Sequence, residues 1–271
     1  MAIPKYVVLK KARGNTPLET IQAWKHHHPK YAEVPASYAG RLDPMAEGKL
    51  LVLLGNECKQ QQKYIGLDKE YEVEVVLDLG TDTGDALGIP EYYSVESVPA
   101  VSGVQPVIRA LLGPQTVPYP AFSSKTVHGK PLFMYALEGT LDTIDMPTHT
   151  ETMYRIQLVK LERFTRAQLQ ERIDTGLVDV PRSDELSKEL GADFRQDIIR
   201  AGWRALFTAM PEREFTVLTL RVACASGSYM RTLAGRIGAG LGTTGFALSI
   251  KRTKIGTIKK FGPLWFWSKK Y

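Results

Sequence analysis

Asp43 is the residue of this sequence best placed to do chemistry. It stands in Tyr38-Ala-Gly-Arg-Leu-Asp-Pro-Met-Ala-Glu-Gly48, where glycine and proline constrain the backbone around one carboxylate and a cation, Arg41, lies two residues away. The same spacing equally suits a helix N-cap, with Pro44 at the first helical position. A second cluster, Ala223-Cys-Ala-Ser-Gly-Ser-Tyr-Met-Arg-Thr-Leu233, reads as a strand, a glycine turn and a helix start. Tyr229 and Arg231 fall at that helix start, where backbone N–H groups and a guanidinium suit a phosphate or a carboxylate. Tyr71, in Lys69-Glu-Tyr71, opens an alternating strand and fits either packing or a ligand-facing ring. Asp82 and Asp85 lie in the glycine-rich turn beyond it without an EF-hand register or a nearby histidine, so they read as turn residues. His26, His27 and His28 are consecutive on a helix and point in different directions, so they do not converge on one ion. No metal is expected.

The elements that must position these residues are short and mixed. Tyr6–Lys10 reads as a strand. Thr16 and Glu19 form a capping box around Pro17, which predicts a helix from about Pro17 to His27. Glu70–Leu79 alternates polar and apolar residues, the period of a half-buried strand, and Gly80–Gly88 is a long turn. Met153–Glu162 and Glu214–Cys224 are further strands, Val98–Leu112 is weakly helical, and Tyr229–Leu241 is a helix stopped by glycines. Leu186–Met210 is charged and amphipathic and reads as a helical insertion over about 184–212. Strands and helices mix without regular βαβ alternation, which predicts an α+β fold around a largely antiparallel sheet.

Charge points to a partner. Ten basic residues and no acidic one lie between Phe215 and Tyr271, which leaves the first 214 residues at −4 within a net +6. A one-signed segment attracts the opposite polyion, although a solvated basic face has the same composition. Lys251-Arg-Thr-Lys254 and Lys259-Lys260 interleave with Phe261, Trp265, Phe266 and Trp267, a mixture that suits phosphate contact with base stacking, or a closing strand packed on the core. The two cysteines, Cys58 and Cys224, lack CxxC spacing, which excludes a zinc ribbon and a disulfide scaffold. No apolar run reaches the roughly 18 residues of a membrane span, and the N-terminal apolar stretch is too short for a signal peptide. A cytoplasmic setting is expected.

Taken together, these segments resemble the TruB family of tRNA pseudouridine synthases. Gly40–Gly48 is similar to the family's catalytic loop, and Lys69-Glu-Tyr71 with Gly80-Thr-Asp-Thr-Gly-Asp85 to its next motif. Pro118–Lys125 with Gly129-Lys130 is similar to its RNA-contacting segment, and Ser226–Leu233 and Ile250–Lys254 complete the order. The resemblance implies a pseudouridine synthase fold and a cofactor-free isomerisation in which uridine 55 of the tRNA T loop is detached at N1 and reattached through C5. It implies that Asp43 is the essential aspartate, as nucleophile or base, that Arg231 pairs with it, and that Tyr71 stacks on the base. An adjacent cation favours the ionised form of a carboxylate. Ile250 falls on the pocket wall, and Lys11, Tyr38, Arg41, Lys125, Lys130 and Tyr229 fall at substrate-binding positions. A base inside a folded loop must be flipped out to be reached, so the expected partner is the T-arm stem-loop of tRNA, bound by a monomer and without a membrane.

The sequence departs from the family in places. Tyr38 stands where a histidine is usual, Lys10-Lys11-Ala12 replaces Asp-Lys-Pro, and Thr148-His149 replaces a common arginine. The sequence ends 13 residues after Ile258, so a single catalytic domain over 1–271 is expected, without the RNA-binding PUA domain many members carry. Two other functions compete: a catalytically silent RNA-binding or RNA-folding module on the same scaffold, and a metal-dependent nuclease built on Asp43, Asp82 and Asp85. Retention of Asp43, Tyr71 and Arg231 argues against the first.

Overall fold

A computed structural model describes residues 3–92, 103–178, 180, 195–261 and 264–268. Its centre is a nine-stranded sheet whose main path runs β1 (Tyr6–Lys11), β3 (Ala46–Leu54), β12 (Gly245–Phe261), β4 (Asp68–Leu77), β11 (Glu214–Cys224), β10 (Thr148–Thr165), β7 (Gly113–Pro118). β2 (Ala36–Ala39) pairs with β3, and β13 (Leu264–Ser268) with the end of β12. Every pairing is antiparallel except β3 with β12, where Ile250, Lys251 and Arg252 run alongside Ala46, Glu47 and Gly48. That parallel pairing brings the start of β3 beside the middle of β12. Two small hairpins, β5–β6 (Leu79–Thr81, Pro90–Tyr92) and β8–β9 (Thr126–Val127, Lys130–Pro131), stand off the main sheet. The α+β architecture is as expected.

The alternation of β4 sorts its side chains as the period-two reading requires. Tyr71, Val73, Val75 and Leu77 enter one core cluster, beneath α3 (Val104–Ala110) and α7 (Met230–Gly240). On the other face Glu70 pairs with Arg155 and Lys254, and Glu74 with Arg172. α5 (Arg166–Val178) and α6 (Gln196–Ala209) cover that second face, with Leu169, Ile173, Ile199, Trp203 and Phe207 packed against Phe215, Val217 and Phe246. α1 (Pro17–His26) lies over Leu50 and Val52 of β3 and begins with both halves of its capping box in place.

Several elements differ from expectation. β10 runs on to Thr165 and passes directly into α5, a helix with only Leu169, Ile173, Gly176 and Leu177 buried and too little apolar signal to stand out in sequence. α2 (Gln62–Ile65) is a single short turn of helix and α4 (Leu132–Glu138) about two turns. Of the predicted helix at Val98–Leu112, residues 98–102 lie outside the described residues, and α3 covers Val104–Ala110. The expected insertion also falls partly outside, over 184–194. Its described part, α6, belongs to the core, where the Trp203 indole N–H donates to the Ala86 carbonyl at 3.1 Å.

Candidate active site

Asp43 does not cap a helix. It lies in the loop joining β2 to β3, and the residues after Pro44 extend into a strand because Leu50–Leu54 are buried on both faces of the sheet. Two buried cations hold this loop by its backbone. From the β1 side, Lys11 donates from Nζ to the carbonyls of Ala46 (2.6 Å), Ala12 (3.0 Å) and Pro44 (3.3 Å). From β12, Arg252 donates to the carbonyls of Lys49 (2.7 Å), Gly40 (3.0 Å) and Arg41 (3.3 Å). Lys11 is 0% exposed, and burial pushes its ammonium down to about 8. The expected substrate contact of Lys11 is therefore corrected: it fixes the loop from behind. Arg252 belongs to the basic run that suits either phosphate contact or a strand packed on the core; it too is buried, because the β3–β12 pairing carries it inward.

The carboxylate of Asp43 meets Arg231, in the first turn of α7. Arg231 Nε donates to Asp43 Oδ2 at 2.9 Å, Nη1 to the Thr83 carbonyl at 2.7 Å and Nη2 to the Phe122 carbonyl at 3.0 Å. One guanidinium thus joins three segments far apart in sequence. The Asp43 side chain is 38% exposed and that of Arg231 5%, so the carboxylate is open while its partner is closed. Asp85 lies behind, its Oδ2 3.7 Å from Arg231 Nε. Burial pushes the Asp85 carboxyl up to about 6, against the opposing pull of Arg231 and hydrogen bonds from Thr83 and the Leu87 amide. Gly84 permits this approach: its φ is +76°, and a β-carbon there would sit 3.0 Å from the Arg231 carbonyl oxygen.

Asp43, Arg231, Tyr71 and Ile250 line one cavity of about 450 Å³, with Arg41, Lys69, Phe122 and Tyr229 also in its wall. Burial raises the pKa of Tyr71, so its phenol stays protonated, against the opposing pull of the Arg252 charge. Tyr229 is likewise raised, first by burial and then by the Asp43 charge; its ring packs edge-on against His149 and Tyr119. Phe122 carries the Arg195 guanidinium on its face at 4.4 Å, and Arg195 also pairs with Asp82.

Other expected positions lie elsewhere. Tyr38 packs on β2 against the cluster beneath α1 and does not line the cavity, because the register of β2 on β3 turns its ring that way. Lys125 lies over the Tyr119 ring at 5.4 Å, and Lys130 pairs with Glu138 over the Tyr135 ring; neither lines the cavity. Lys251 and Lys254 face Glu47 and Glu70, and Lys259 is exposed. The side chains of Lys260, Phe261 and Trp265, and residues 269–271, lie outside the described residues. The nuclease arrangement does not assemble: Asp82 is turned to Arg195, while Asp43 and Asp85 share Arg231. His27 and His28 contact carbonyls of α1 through Nδ1.

Residues 30–177, a little over half of the sequence, match the model of the TruB family pseudouridylate synthase N-terminal domain. The chain belongs to the TruB family. Among curated relatives, it is 29% identical over 224 residues to the tRNA pseudouridine synthase B of Ralstonia pickettii (strain 12J), covering 82% of this chain and 54% of that protein. It is 26% identical over 255 residues to the tRNA pseudouridine synthase B of Francisella tularensis subsp. novicida (strain U112), covering 93% and 65%. The chain thus spans about half to two-thirds of the length of these relatives. The TruB-type fold is also that of a chain in the crystal structure of a Cbf5-Nop10-Gar1 complex, with a TM-score of 0.53 at 17% identity, over 93% of this chain and 48% of that one. Among the described residues no helix is long and apolar enough to cross a membrane.

Proposed function

We propose that this TruB-family chain is a tRNA pseudouridine synthase that isomerises a T-loop uridine, uridine 55, with Asp43 as its reacting carboxylate. The observation that carries the reading is the open Asp43 carboxylate at 2.9 Å from a closed Arg231, in a cavity large enough for a flipped nucleoside. The names of the relatives point to the same substrate class.

The chemistry needs no co-reactant. The N1–C1′ bond of uridine breaks, the freed base turns within the cavity, and C5 bonds to C1′; the C5 proton then leaves and N1 gains one. Asp43 starts the reaction at the ribose. Arg231 pairs with it and aims it, and Arg252 and Lys11 hold the loop that carries it. Tyr71, a neutral phenol, stacks on the base and stands by for proton transfer. Ile250 closes the wall against water. The protein works as a cytoplasmic monomer on the T-arm stem-loop.

Incubation with unmodified tRNA, followed by pseudouridine mapping, tests this. The wild type is expected to convert one T-loop uridine and Asp43→Asn none. Product from both proteins, or from neither, overturns the reading.

A further inference from the structure

Lys69 differs from Arg231 and Arg195, two other cations of the cavity wall. It stands two residues before Tyr71 on β4, so the pleat turns both side chains to the cavity side, and it lines the cavity while only 5% exposed. Its Nζ donates to the Ile65 carbonyl at 2.9 Å and to Ser226 Oγ at 3.0 Å, and Ser226 Oγ itself donates to Ile65 at 2.6 Å. An ammonium has three donors, and two are used. Arg231 faces Asp43 and Asp85, and Arg195 faces Asp82, but among the described residues no carboxylate forms an ion pair with Lys69. A buried charge without a counter-ion costs several kcal/mol, a cost that a ligand anion removes on binding.

The groups around Lys69 include one carboxylate, Asp68, whose charge reaches it only as the weakest influence and without an ion pair. Asp68, its neighbour on β4, accepts from the Tyr154 hydroxyl and the Ile258 amide. From β11 comes the Cys224 thiol, which burial pushes up to about 12. From β12 comes Arg252, a second positive charge already held by carbonyls. Burial first, and then Arg252, push Lys69 down to about 8. Gly40 connects this corner to the reacting loop: a β-carbon there would sit 3.4 Å from Lys69 Cε and 3.6 Å from Arg252 Nη1.

We propose that Lys69, with Ser226 beside it, forms an anion site that takes a phosphodiester group flanking the target uridine and so positions its ribose against Asp43. This rests on the RNA-modifying reading above and adds to it a binding residue.

Binding of an unmodified T-arm stem-loop to wild type, Lys69→Met and Lys69→Arg tests the site. Lys69→Met is expected to bind about tenfold more weakly, the order of one charge-assisted contact, and to lower the slope of log affinity against log salt by about 0.7–0.9. Lys69→Arg keeps the salt slope. Calorimetry at pH 8.5, in two buffers of different ionisation enthalpy, is expected to show proton uptake on binding by the wild type and less by Lys69→Arg. Lys11 is unchanged in both, so the difference belongs to Lys69. A ligand-side measurement does not depend on the folding of any variant: a neutral methylphosphonate on one side of the target uridine abolishes the same uptake in the wild type. An unchanged salt slope in folded Lys69→Met, or uptake indifferent to the methylphosphonate at both flanking positions, overturns the site. A wild type that converts and binds the RNA while failing these tests loses only the phosphate site. A wild type that neither binds nor converts overturns the activity and the site together.

Discussion

Two sets of charges line the cavity, and they are neutralised in opposite ways. Arg231 is set among carboxylates, Asp43 at 2.9 Å and Asp85 at 3.7 Å, so its charge is balanced within the protein. Arg252 and Lys69 are set among carbonyls and a hydroxyl, which are dipoles without net charge. Among the described residues no ion pair cancels their positive charge, which adds to the field of the cavity, where a low effective dielectric strengthens it. In the proposed reaction the first set prepares the reacting group. The second holds the backbone and leaves a positive field for a polyanion. Counting basic residues in the C-terminal fifth does not distinguish these uses, since Arg231 and Arg252 both fall there.

Perturbing the carboxylate-bound set has the largest expected effect. Arg231→Met should lower turnover by about 10³-fold, the order seen when a preorganised electrostatic partner is removed, measured in single-turnover assays. It should also lower stability at pH 7 by about 3 kcal/mol in urea unfolding, because Asp85 is left buried without its cation. Adding Asp85→Asn should restore stability and not turnover; recovery of both would mean that the two carboxylates have the same role.

Gly48→Ala probes the contact that carries Arg252 inward. Gly48 has φ +107°, and a β-carbon would fall 2.4 Å from the Arg252 carbonyl oxygen. A loss of about 3 kcal/mol or more is expected, with strain and overpacking combined. Arg252→Met should cost about 2–3 kcal/mol, by leaving the Gly40, Arg41 and Lys49 carbonyls without their donor. It should lower turnover less than Arg231→Met does. A larger activity loss from Arg252→Met would reverse the assignment of the two arginines.

The smallest effect is a pH slope. The folded-state pKa of Asp85, about 6, lies above its ordinary 3.8, so the native state binds this proton more tightly than the unfolded state. The stabilising contribution is present below about pH 4 and is lost as pH rises to 6, at a slope of about 1.4 kcal/mol per pH unit. Comparing the unfolding free energies of wild type and Asp85→Asn across pH 4–6 should isolate this slope; parallel curves would show that Asp85 is ionised throughout.

The local elements were the legible part of the fold. The capping box of α1, the alternation of β4 and the strand Glu214–Cys224 follow from nearest-neighbour chemistry, and each stands within a residue or two of where the sequence puts it. Asp43, Tyr71, Arg231 and Ile250 were expected to lie together, and one cavity brings all four together. Arg252 and Lys69 were not assigned roles, although Lys69 lay in plain view beside Tyr71. A basic residue in a basic run carries no sign of whether it faces water, and Lys11 was misplaced for the same reason.

By itself, the sequence determined which side chains were available, which short stretches become helix or strand, and the order of motifs that marks the TruB family. Only the tertiary structure decided that Asp43 precedes a strand rather than a helix, and that Arg231 joins segments from Asp43, Thr83 and Phe122. Tertiary structure also decided that the basic residues divide into charges cancelled by carboxylates and charges left standing on carbonyls. The physical reason is range. Caps and pleats are fixed within a few residues, whereas the partner of a buried charge comes through sheet register from residues more than a hundred positions away, as Asp43 does for Arg231.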